Sequence, residues 1–125
     1  MANGNRAWTA VLVWAAIQLL LTSLPGKSLP IGLDHPWDWG GHFCLYGGLG
    51  TLIARAAVLR GWSLRHLFWA GLLIAAGAAL DELHQLFIPG RSAEVFDWLS
   101  DTLGAAAGLT VGARLMTSRY AKWLR

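Results

Sequence analysis

The chain is 125 residues long, 55% hydrophobic and only 14% charged, against roughly 25% charged in an ordinary soluble domain, which argues against a water-soluble globular protein. Eight Trp and fifteen Gly in so short a chain, with a positive mean hydropathy, add features of membrane proteins. The net charge of +3 comes without a basic run or a basic helix face interleaved with aromatics, so nucleic acid is not an expected partner; a lone cysteine, Cys44, excludes an intrachain disulfide and a multi-cysteine metal site.

Four apolar stretches, about 8–24, 43–59, 67–88 and 98–117, each approach the ~20 residues that cross a bilayer as a helix. They predict an all-α bundle of four transmembrane helices in a single domain, 1–125. The first stretch, WTAVLVWAAIQLLLTSL, follows Arg6 as a signal peptide would, but its length and the lack of an A-x-A site favour a retained anchor. From Pro25 to Gly41 the chain holds three of its four prolines and reads as a loop. The second stretch carries Gly47, Gly48 and Gly50, with Cys44 expected as a small buried residue, and the third carries Gly71, Ala75 and Gly77. In the fourth, Gly104, Gly108 and Gly112 form a doubled G-x-x-x-G ridge that lets another backbone approach closely, within the bundle or in a homo-oligomer.

Bases near the span ends set the expected orientation. Arg6 precedes the first span, Arg55, Arg60 and Arg65 surround the second loop, and Arg114, Arg119, Lys122 and Arg125 mark the tail, whereas loops one and three offer only Lys27 and Arg91. Both termini are therefore expected in the cytoplasm, with loops one and three outside.

Polar residues at membrane depth are the informative feature. Asp81, Glu82, His84 and Gln85 end an otherwise uncharged third span. If that helix exits near Ile88, the rise of ~1.5 Å per residue puts Asp81 roughly 10 Å inside the boundary, where a charge costs up to about 3 kcal/mol and needs a partner or a wet cavity. Spacings of three and four predict that Asp81, Glu82 and Gln85 converge on one side, with His84 toward the other flank. A structural polar contact or a neutralised acid would explain one carboxyl; two in succession favour a site. The topology brings His42 and Tyr46 of span two and Asp97 and Asp101 of span four to the same outer end, each pair four residues apart. In the third loop, IPGRSAEVFD, Arg91 reads either as a residue snorkelling to headgroups or as a clamp for carboxylate or phosphate. Ser92 reads as a turn or cap residue rather than a nucleophile.

At these residues the chain resembles the VanZ-like family of small bacterial membrane proteins, named for a protein associated with teicoplanin resistance. The resemblance rests on H42-F-C-L-Y46, D81-E-L-H-Q85, P89-G-R-S92 and D97-W-L-S-D101-T-L-G104. Two departures stand out: Trp39 follows Asp38 where family members often have lysine, and Asp101 stands where many have Asn. The resemblance implies a multi-pass protein of the bacterial cytoplasmic membrane, linked to cell-envelope precursors, without naming a reaction.

Residues and resemblance together lead to competing expectations. One is a membrane enzyme in which Asp81 or Glu82 acts as acid/base, His42 as proton-transfer partner, and Tyr46, Gln85, Arg91, Ser92, Asp97 and Asp101 hold a lipid-linked, phosphate-bearing or peptidoglycan-type precursor. A divalent cation can join Asp81, Glu82, Asp97 and Asp101, although no specific metalloenzyme motif is present. The second is a binder of such a ligand without turnover; the third is a small oligomeric transporter, for which no inverted repeat or broken helix pair speaks.

Overall fold

The computed structural model describes residues 2–25 and 37–123, with side chains placed for 3–25 and 38–118. Lys27 and the rest of the first loop, and the side chains of Arg119, Lys122 and Arg125, lie outside the described residues. The chain forms four helices in order: α1 (Ala2–Ser23), α2 (Trp37–Leu59), α3 (Leu64–Gln85) and α4 (Val95–Trp123). The first three are long and apolar enough to cross a membrane, which makes this a multi-pass membrane protein. α4 falls short on apolar content, because Asp97, Asp101, Arg114 and several Ser and Thr residues share its length.

Helix ends follow local chemistry. After α2, Gly61 takes φ 68°, the Trp62 N–H reaches the Ala57 carbonyl and the Gly61 N–H the Val58 carbonyl, both at 3.0 Å. This is the Schellman pattern that glycine permits after a helix. α3 ends at Gln85, three residues before the expected exit at Ile88. Pro89 disfavours helical geometry in the residue before it, and Leu86, Phe87 and Ile88 instead make tighter bonds back to Leu83, His84 and Gln85. Asp81 thus lies four residues, or about 6 Å, from the helix end, shallower than the longer helix implied.

α2 and α4 form the most extensive contact. A Cβ at Gly104 would land on the carbonyl oxygen of Phe43, and one at Gly108 on that of Gly47. The glycine ridge is therefore spent inside the protomer, against α2, and not on an outer face open to a second copy. Trp14 closes over Gly48, and its indole N–H donates to the Leu45 carbonyl at 2.9 Å, tying α1 to α2. Trp98 does the same between α4 and α3, donating to the Ala75 carbonyl at 2.9 Å. The interior is lined by small residues, including Ala54, Ala56, Ala57, Ala78 and Ala105, while Leu12, Leu20, Leu73 and Phe87 point outward. Such an inverted distribution suits hydrocarbon, where leucine gains little by leaving the lipid and close backbone packing supplies the attraction. Cys44, expected to be buried, is exposed for the same reason: an apolar side chain on a lipid-facing surface needs no cover.

Candidate functional site

The alternating helices bring the end of α1, the start of α2, the end of α3 and the start of α4 to one end of the bundle. His42 is the hub. α2 begins at Trp37, a turn and a half earlier than expected, so Asp38 lies one turn before His42 on the same helix. The His42 Nδ1 is 2.8 Å from Asp101 Oδ1, and its Nε2 is 3.8 Å from both Asp38 Oδ1 and Asp97 Oδ2. Glu82 completes the group from α3: one carboxylate oxygen each of Glu82 and Asp101 and one ring nitrogen of His42 lie within 4.8 Å of one another. His42, Glu82, Asp97 and Asp101 are all buried, Asp101 completely. Glu82 Oε2 accepts the Glu94 N–H at 3.0 Å, which docks the start of α4 onto α3.

Asp81 faces elsewhere. Its two oxygens accept from Thr22 Oγ1 at 3.0 Å and from the Tyr46 hydroxyl at 3.4 Å, across a cavity of about 390 Å³ between α1, α2 and α3. Adjacent helical residues point about 100° apart, so Asp81 lines the cavity between α1, α2 and α3 while Glu82 turns toward His42, Asp101 and the start of α4, instead of the single side expected for them with Gln85. Tyr46, one turn from His42 on α2, lines the Asp81 cavity, while His42 turns to Asp101. Asp81 is accordingly not among the residues that approach His42 as candidate cation ligands. His84, assigned to the far flank by spacing, lines the Asp81 cavity and hydrogen-bonds Ser23 across 3.2 Å.

Gln85 is 2% exposed, and its side-chain nitrogen has no hydrogen-bond partner. Arg91 donates from Nε to the Leu24 carbonyl at 3.0 Å and from a terminal nitrogen to the Leu21 carbonyl at 3.1 Å. It caps the C-terminus of α1, where a cation suits the orphan carbonyls and the helix dipole. Ser92 donates to Glu94 Oε1 at 3.3 Å in the turn before α4.

Three site residues escaped the sequence reading: Asp38 beside the His42 Nε2, and two residues of α1. Gln18 and Thr22 of α1 are buried and face the Asp81 side, Gln18 lining the cavity and Thr22 bonded to the carboxylate. Their spacing of four within an otherwise apolar run was the available signal, the same one that paired His42 with Tyr46.

Fold and site together define a class: a small multi-pass helical membrane protein with a carboxylate- and histidine-lined centre at one end of its bundle. More particularly, the family model for VanZ/LLP1 matches residues 40–116, and the chain belongs to that family. No curated protein and no solved structure matches it. The matched segment carries His42, Tyr46, Asp81, Glu82, Gln85, Arg91, Ser92, Asp97 and Asp101, whereas Asp38 and the α1 residues Gln18 and Thr22 lie before it.

Proposed function

We propose that this protein takes up a lipid-linked cell-envelope precursor from the outer leaflet of the bacterial cytoplasmic membrane and processes its polar end. The observation that carries this reading is the graded lining of the Asp81 cavity. Along α3 the wall passes from Ile74 and Gly77 through Leu80 to Asp81 and His84, with Leu49 and Tyr46 opposite and Gln18 and Leu19 on α1. An apolar floor with a few convergent polar groups at one end suits an amphipathic ligand, and about 390 Å³ falls in the usual range for small-molecule sites. Asp81, positioned by Thr22 and Tyr46, is the proton-transfer group of this chamber.

α4 crosses the membrane with the other three helices in this reading, and both termini are cytoplasmic. Support comes from charge: Arg6, Arg60 and Arg65 gather at the end opposite the carboxylates, where α1 starts, α2 ends and α3 starts. The chemical step acts on a phosphate-bearing or peptidoglycan-type headgroup, and altered precursor display would change susceptibility to teicoplanin.

The test is lipid profiling of a strain lacking the protein, complemented by wild type or by Asp81→Asn. Accumulation of one envelope lipid in the deletion and in a normally abundant Asp81→Asn strain supports processing. No accumulation in either strain, with an envelope lipid co-purifying with both wild type and Asp81→Asn, would establish recognition without turnover.

A further inference from the structure

The cluster around His42 has its own chemistry. Glu82 and Asp101 are 6% and 0% exposed, and each keeps one buried oxygen, Oε1 and Oδ2, without a hydrogen-bond partner. Among the described residues no Lys or Arg lies within ion-pair distance of either carboxylate. Two buried carboxylates beside one imidazole, with orphaned oxygens, leave negative charge that the protein's own hydrogen bonds do not satisfy. We propose that His42, Glu82 and Asp101, one residue from each of α2, α3 and α4, bind a first-row divalent metal ion, zinc or manganese.

Geometry and charge both fit. Metal–ligand distances of ~2.0–2.2 Å set neighbouring ligand atoms roughly 3–3.6 Å apart. The His42 Nδ1 and Asp101 Oδ1 already stand 2.8 Å apart, and the Glu82 oxygen lies within 4.8 Å of both ligand partners, so closure asks for about 1 Å of side-chain movement. A divalent ion offsets the charges of the Glu82 and Asp101 carboxylates beside a neutral imidazole, which lowers the cost of burying these two acids. The imidazole ligand favours a transition metal over magnesium or calcium. On the far side of the ring, Asp38 and Asp97 sit 3.8 Å from Nε2, where carboxylates orient a metal-bound histidine by accepting its other N–H. A groove of about 310 Å³ lined by Leu83, Ala93, Glu94 and Trp98 reaches one of the three ligands, Glu82.

With the metal in place His42 is a ligand, and proton transfer belongs to Asp81 in the cavity between α1, α2 and α3. Three protein ligands leave a position open, as catalytic sites do, and a phosphate oxygen of the precursor fits there. That step rests on the function proposed above; metal occupancy does not, so the experiment reads occupancy alone.

The protein is purified in detergent, incubated with zinc or manganese, freed of excess ion, and assayed for bound metal by mass spectrometry and X-ray absorption. Wild type is expected to hold a single equivalent in a shell of oxygens and one imidazole, without sulfur. Glu82→Gln and Asp101→Asn should weaken binding at least tenfold, Asp38→Asn less, and His66→Ala, at the opposite end of the bundle, not at all. Roughly a tenth of an equivalent or less in wild type overturns the proposal. So does undiminished binding by folded Glu82→Gln and Asp101→Asn, or a shell with sulfur or several imidazoles. Should those variants not fold, wild-type stoichiometry and absorption spectrum decide the matter.

Discussion

Replacing Gly108 by alanine adds one methyl group where α4 lies against α2. That Cβ would overlap the Gly47 carbonyl oxygen and stand 2.9 Å from both Gly47 C and Thr51 N. Close carbon–oxygen contacts between helices settle at about 3.3–3.6 Å, so the two backbones must part by at least ~0.5 Å. Separation on that scale forfeits roughly a quarter of the dispersion energy of each contact it stretches, and overpacking of this kind costs about 1–3 kcal/mol. Gly77→Ala is the matched control, since its Cβ meets nothing within 4 Å and alanine is the better helix former. Unfolding in mixed micelles, followed by circular dichroism, should place Gly108→Ala about 2 kcal/mol below wild type and Gly77→Ala at or above it. Equal stability of the two variants would refute the close α2–α4 approach.

Further outcomes follow from individual contacts. Arg91→Gln should free the last turn of α1 and speed hydrogen exchange near residues 20–24 about fivefold, the equivalent of ~1 kcal/mol. Tyr46→Phe and Thr22→Val should each cost about 1 kcal/mol in the same unfolding assay. Because both act on the Asp81 carboxylate, the double variant should depart from additivity by ~0.5 kcal/mol or more. Ser92→Cys in a Cys44→Ala background should react with a membrane-impermeant maleimide added outside intact cells; protection there, with labelling from inside, would reverse the proposed orientation.

Much of the architecture was legible because a bilayer demands so little variety. Four apolar runs became four helices, and the doubled glycine motif marked the closest helix approach, although the ridge faces α2 within the chain. Alternating helix direction brings His42, Glu82, Asp97 and Asp101 to the same end, and the i, i+4 spacing puts Asp97 and Asp101 on one face of α4. What stayed hidden depended on rotation about helix axes. Asp81 and Glu82 are adjacent, and only the relative placement of α1 and α4 shows that one faces Thr22 and the other Glu94. Arg91 had two sequence-level readings, headgroup or clamp, because its actual acceptors are carbonyls some 67 to 70 residues away that no side-chain pattern announces. Gln18 and Thr22 were passed over because isolated polar residues in an apolar run carry little weight until a partner helix is known.

Convergence of the helix ends is open to direct chemical measurement. With Cys44 replaced by alanine, His42→Cys and Asp101→Cys are introduced together and the membranes are oxidised mildly. The side chains they replace meet at 2.8 Å in the buried centre, so a short bifunctional thiol reagent, added if direct oxidation does not close the gap between the smaller cysteine side chains, should link the two within the chain, while His42→Cys paired with Arg114→Cys, toward the other end of α4, should remain unlinked. Failure of the first pair to cross-link in protein that is otherwise folded would contradict the shared polar centre on which the functional account is built.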